Sequence, residues 1–153
     1  MSDVEKSRLV AWNREMRAVH ARLREILGLV RTSLEAPELP TRELLLYCHG
    51  FCVALSRHHV AEDVALFPEL SARHPELGDT IRKLRQDHSL IAHLIAELEH
   101  AVATADSSEQ LALHVEGIGA IMESHFRYEE RQLLEVLETL EWDQPIARVL
   151  GEF

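Results

Sequence analysis

Two stretches of this chain, 67 residues apart, repeat one another: His58 to Leu70 reads HHVAEDVALFPEL and His125 to Leu137 reads HFRYEERQLLEVL. Both have histidine first, glutamate at +4, an acid at +5, and apolar residues at +8, +9 and +12. A second pair of histidines keeps nearly the same interval, His20 lying 38 residues before His58 and His88 lying 37 before His125. A helix hairpin used twice accounts for this pattern. Histidine and glutamate four apart on a helix point the same way, one turn from each other, so each copy aims an imidazole and a carboxylate at one point. Helical bundles that gather such pairs hold two iron or manganese ions.

The rest of the chain agrees with an all-α fold. Its 153 residues suit one domain, residues 1–153, and leucine-rich, charge-studded helical stripes dominate while aromatics reach only 5%. Gly, Pro and polar runs divide it into helices of about 3–34, 41–67, 77–103 and 108–140. The first buries Leu9, Trp12, Met16, Val19, Leu23, Leu27 and Val30 and stops at Pro37 and Pro40. Thr41 caps the second, which Pro68 ends or kinks near Phe67, leaving a short tail to Arg73. Ser107 or Ser108 caps the fourth, and Trp142 to Phe153 form a short C-terminal cap. Short links give an up-down-up-down antiparallel four-helix bundle. A net charge of -10 argues against nucleic acid and membrane as partners. With no long apolar run and no signal-peptide pattern, a cytoplasmic location is expected. Cys48 and Cys52, four apart in an apolar stripe, read as reduced core thiols.

His20, His58, His88 and His125 each fall on the core-facing stripe of a different helix, among Leu, Ile, Met and Phe. Burying four imidazoles and the carboxylates of Glu62 and Glu129 without partners would cost several kcal/mol for each carboxylate. A metal ion removes that cost. The expected ligands are His20, His58, Glu62, His88, His125 and Glu129, with His59, on the same broad stripe as Cys52 and Leu55, adding a further imidazole. Glu129 is preferred over Glu130 because the repeat equates it with Glu62; Asp63 and Glu130 then accept hydrogen bonds from the ligand imidazoles. Tyr47 and Tyr128 are candidates for proton or electron donors beside the site, with core packing as the plainer role for both. His49, His74, His100 and His114 read as surface residues, and His93 lies off the stripe. Mixed imidazole and carboxylate donors on four helices suit a di-iron centre better than structural zinc, with manganese as the alternative.

In these residues the chain resembles the hemerythrin-like, HHE cation-binding family. The likeness runs from about Trp12 to Leu140 and rests on His20, on His58-x-x-x-Glu62-Asp63 ending in Leu66-Phe67-Pro68, on His88, and on His125-x-x-x-Glu129-Glu130. It implies a four-helix bundle around a non-haem di-iron centre with two bridging carboxylates and an oxo or hydroxo bridge, reacting with dioxygen. Oxygen-carrying hemerythrins place a second histidine four residues on in the third helix, and here that position is Ala92. With His59 counted, a five-histidine shell returns in rearranged form, and reversible oxygen carriage does not carry over.

Two ferrous ions with two glutamates and one hydroxide leave a small positive charge, which favours oxidase-like or peroxide-level chemistry over oxidation of unactivated C–H bonds. The expected partners are therefore dioxygen, peroxide or nitric oxide, with a small-molecule substrate in the enzymatic reading. Reversible O2 or NO binding, carriage or sensing is the alternative, and iron storage or iron sensing a further one.

Overall fold

The computed structural model describes residues 10–35, 41–104 and 107–152, with the side chains of residues 41–44 outside that description. Every regular element in them is helical: α1 (Trp12–Glu35), α2 (Thr41–Ala61), a π-helical turn (Glu62–Leu66), α3 (Phe67–Arg73), a 3-10 turn (Pro75–Leu77), α4 (Gly78–Ala103), α5 (Ser108–Glu138) and α6 (Ile146–Leu150). α1 packs on α2 and α5, and α4 packs on the same two, so the long helices enclose a common interior.

Periodicity builds these helices. α1 buries Trp12, Met16, His20, Leu23, Leu27 and Val30 at steps of three and four residues. Ser107 starts α5, its side-chain oxygen accepting the Gln110 N–H at 3.2 Å, a bond that satisfies one of the free donors of the first turn. The first helix begins later than the sequence pattern suggests, because Val10 and Ala11 are not helical. The expected start at Asp3, the Leu9 contact and the stops at Pro37 and Pro40 lie outside the described residues, as does the Thr41 side chain expected to cap the second helix.

Of the two expected outcomes at Pro68, an end or a kink near Phe67, the second helix takes the second. It continues to Arg73 through the π turn, where the Phe67 N–H reaches back five residues to the Glu62 carbonyl. Pro68 supplies the reason. Its ring would crowd the carbonyl four residues earlier in an α-helix, and a wider turn relieves that clash. The fourth long helix stops at Glu138, two residues short of expectation, and Leu140 remains buried beyond it.

Two apolar clusters flank one polar layer. One contains Leu23, Leu27, Val30, Cys48, Phe51, Leu98, Leu111 and Phe126; the other contains Trp12, Met16, Leu66, Phe67, Leu84, Leu133 and Leu137. Burying a side chain of this size contributes about 1.5–3 kcal/mol, so the clusters supply the stability that a polar middle subtracts. Cys48 and Cys52 are free and buried within the first, and burial pushes the Cys52 thiol up to about 12, which leaves it unreactive. Val149 and Leu150 of α6 complete the second.

Candidate metal centre

Between the clusters lie the buried polar residues His20, His58, His59, Glu62, His88, His125 and Glu129. Their ligand atoms fall into two groups, each within 4.8 Å: His59, Glu62, His88 and His125, and His20, His58 and Glu129. Each glutamate reaches across. Glu62 Oε1 lies 3.4 Å from His88 Nε2 in its own group and 3.2 Å from His58 Nε2 in the other. Glu129 stands 3.0 Å from His20 Nε2 in its own group and 3.4 Å from His125 Nε2 in the other. All seven residues expected as ligands are thus brought to one place.

Surrounding acceptors orient the imidazoles. His88 Nδ1 lies 2.8 Å from Asp63 Oδ1, His125 Nδ1 3.1 Å from Asp87 Oδ2, and His58 Nδ1 2.7 Å from the Leu150 carbonyl. None of these oxygens donates, so each Nδ1 carries the hydrogen and each Nε2 lone pair points inward. His20 Nδ1 lies 3.3 Å from Glu130 Oε1. Asp63 and Glu130 therefore stand beside the imidazoles expected to use them. Asp87 and the Leu150 carbonyl were not foreseen: the first acts on a histidine of another helix, and the second is backbone.

The donors make poor partners for one another. His88 Nε2 and His125 Nε2 face each other at 3.1 Å, lone pair to lone pair, an arrangement that needs a proton or cation between them. Among the described residues, every buried side-chain polar atom without a hydrogen-bond partner belongs to this cluster: His20 Nδ1, His58 Nε2, His59 Nε2, both Glu62 oxygens and Glu129 Oε2. Buried polar groups are otherwise almost always paired, and a cation is the partner this donor set fits.

Electrostatics without metal are correspondingly strained. Burial, then the neighbouring imidazoles, hold His59 well below its ordinary pKa, and burial with the His20 cation pushes His58 down to about 3. Burial also opposes charging of His20, yet Glu129 and Glu130 outweigh it and push its pKa up to about 9. Glu62 is raised well above the carboxylate range by burial and by Glu129. Glu129 feels the same burial, but the His125 and His20 imidazoles beside it, His20 as a cation, outweigh it and hold it well below that range.

Aromatic packing closes one side. Phe126 stacks on His20 with centroids 3.8 Å apart, and His59 stacks on His88 at 4.0 Å. A cavity of about 180 Å³ beside Ala92 is walled by His59, His88, Asp63, Ser56 and Ser89 together with the apolar Val60 and Ile95. Tyr128 is half-buried, packs against the second cluster and shares a groove with His125 and Asp87. Tyr47 is not brought to the site: it is 44% exposed, about 16 Å along the helix from His58, and serves neither expected role. His49, His93 and His100 are exposed, and His74 and His114 half-buried away from the cluster.

Helices that carry imidazoles and carboxylates to one buried point define a metal-binding helical domain. The chain belongs to the hemerythrin HHE cation-binding domain family, whose model matches residues 13–137. No curated protein and no solved structure matches it. Among the described residues, no helix is long and apolar enough to cross a membrane.

Proposed function

We propose that this chain is a non-haem di-iron protein that reacts with dioxygen or peroxide, built as one domain in an up-down-up-down antiparallel four-helix bundle. The observation that carries the reading is the division of seven buried donors into groups of four and three, with Glu62 and Glu129 each within reach of both. Glutamates so placed can bridge two ions, and five imidazoles with two carboxylates suit iron. The bundle reading draws on the first apolar cluster, which joins Leu27 and Val30 late in α1, Cys48 early in α2, Leu98 late in α4 and Leu111 early in α5.

His59, Glu62, His88 and His125 would hold one ion and His20, His58 and Glu129 the other. Bound iron supplies one-electron steps toward oxygen or peroxide, and the protein supplies the setting. Asp63, Asp87 and the Leu150 carbonyl fix which imidazole nitrogen faces inward. Phe126 and the flanking leucines exclude water from the His20 side, where uncontrolled protonation would release an ion. On the other side, a small cavity lined by Ser56, Val60, Asp63, Ser89, Ala92 and Ile95 reaches His59 and His88, an approach for a small oxidant. Turnover is favoured over reversible carriage by Ala92, which stands where oxygen carriers have a histidine, and by His59 as a further imidazole.

Anaerobic Fe(II) loading followed by metal analysis and oxygen-electrode measurement tests the reading. About two iron ions per chain and oxygen consumed without recovery under vacuum are expected. Oxygen fully recovered under vacuum would establish carriage, and one tightly held zinc with no iron uptake would refute the di-iron centre.

A further inference from the structure

The residues after α5 lie beyond the stretch that the family model matches, yet they touch the metal centre. Three of the oriented ligand imidazoles have a carboxylate beside Nδ1: His88 has Asp63, His125 has Asp87 and His20 has Glu130. His58 has a main-chain carbonyl, that of Leu150 at the end of α6, at 2.7 Å and buried. A carbonyl only accepts, so this contact fixes the hydrogen on Nδ1 and turns Nε2 toward Glu62 and His20.

Several features hold that carbonyl in place. Val149 and Leu150 are buried in the second apolar cluster, Gly151 N–H closes on the Ala147 carbonyl at 3.0 Å, and Arg57 Nη1 donates to the Glu152 carbonyl at 3.4 Å. Gly151 makes the approach possible. Its φ of +94° disfavours any L side chain, and a Cβ there would sit 2.9 Å from His58 Cα and N and 3.0 Å from Arg57 C, all backbone atoms that cannot give way. Side chain and conformation thus both require glycine where the segment crosses His58.

We propose that the segment from Pro145 to Glu152 is a positioning element of the metal centre: by seating the Leu150 carbonyl on His58, it governs occupancy of the His20–His58–Glu129 half more than that of the His59–Glu62–His88–His125 half. The two-ion part of this rests on the di-iron reading above; the orientation of His58 does not.

Gly151→Val and the milder Gly151→Ala, each in the full chain, test it. Cobalt(II) titration under nitrogen reads the ions, and nitrogen-15 NMR of the metal-free proteins reads the His58 tautomer. In Gly151→Val one of two ions should bind about 10- to 100-fold more weakly, the range for loss of a group that orients a ligand, with the other ion weakened less. His58 should lose its single Nδ1–H tautomer, and Gly151→Ala should move both readouts less, in the same direction. A variant that melts earlier while keeping both ions and the Nδ1–H signature would overturn the proposal, since the segment would then only add stability. Should Gly151→Val not fold, the Gly151→Ala tautomer decides alone. A parent protein that binds only one ion would refute the di-iron reading, and the metal-free tautomer measurement would still decide the role of the segment.

Discussion

The two copies of the repeat are equal in ligand chemistry and unequal in everything around it. Glu62 lies near His58 of its own helix and His88 of the other hairpin; Glu129 lies near His125 of its own helix and His20 of the other. The +5 acids cross over in the same way, Asp63 to His88 and Glu130 to His20. Symmetry fails at +1, where the first copy carries His59 and the second Phe126, and in the backbone, where only the first copy widens into a π turn. The shared positions place a histidine, a glutamate and a second acid in each copy, while the unshared one adds a fifth imidazole on one side and a phenyl ring on the other. His59 borders the cavity beside Ala92, and Phe126 seals His20.

Removing the glutamates should produce the largest effect and split the copies apart. Glu62→Met and Glu129→Met should each lose most of the bound iron, a fall of at least about 100-fold in affinity, measured by metal analysis after dialysis. The metal-free proteins should then diverge. Both oxygens of Glu62 are buried without partners, so its replacement should stabilise the metal-free form by about 1–3 kcal/mol and raise its melting temperature. Glu129 partners His20 and His125, and removing it strands a buried cation, which should cost about 3 kcal/mol. Equal shifts for both variants would mean that the copies are interchangeable.

His59→Phe makes the first copy imitate the second at +1. Iron affinity should fall about 10- to 100-fold and the metal-free form should gain stability, because an unpartnered Nε2 leaves the core. Unchanged metal content and spectrum would remove His59 from the ligand set.

A gentler contrast lies within the three-residue group. His20 has a folded pKa of about 9, above its unfolded value, so its stabilisation is full below pH 6.5 and is lost as pH rises through 9. His58, with a folded pKa of about 3, contributes stability above pH 6.5 that is lost as pH falls toward 3. Each histidine contributes a slope of up to about 1.4 kcal/mol per pH unit, so the metal-free protein should be most stable near pH 6.5–7; the raised Glu62 steepens the alkaline fall, and on the acid side it offsets what the lowered His59 adds. Urea unfolding across pH 4.5–9.5 checks this, and a curve still rising at pH 9 would contradict the His20 assignment.

Local spacing explains how much of this was legible in the sequence. His58 with Glu62 and His125 with Glu129 stand one helical turn apart, and that relation survives any packing of the helices. The helical class and the interior of α1 were legible for the same reason. Asp87 was not, because its partner His125 lies on another helix and only the packing of α4 on α5 brings them together. Leu150 acts through a carbonyl, which no residue type advertises. Tyr47 shows periodicity overreaching: eleven residues return to nearly the same side of an isolated helix, yet at that level the neighbours cover Cys48, Phe51 and Cys52 and leave Tyr47 outside. Pro68 signalled a disturbance, and its resolution as a wide turn instead of a break depended on Leu66, Phe67 and Leu70 all finding the core.

The chain has two tryptophans, and the fold brings them together. Trp12, at the start of α1, donates its indole N–H to the Trp142 carbonyl at 2.9 Å, and the rings lie 5.7 Å apart. All indole emission therefore arises at one end of the molecule, where the first helix meets the strand of chain leading to α6, and none comes from the cluster around Cys48, Phe51 and Leu98. Fluorescence would follow release of the C-terminal segment as an event of its own, while circular dichroism follows the helices as a whole. A gap between the two melting curves would measure how independently that end of the protein opens.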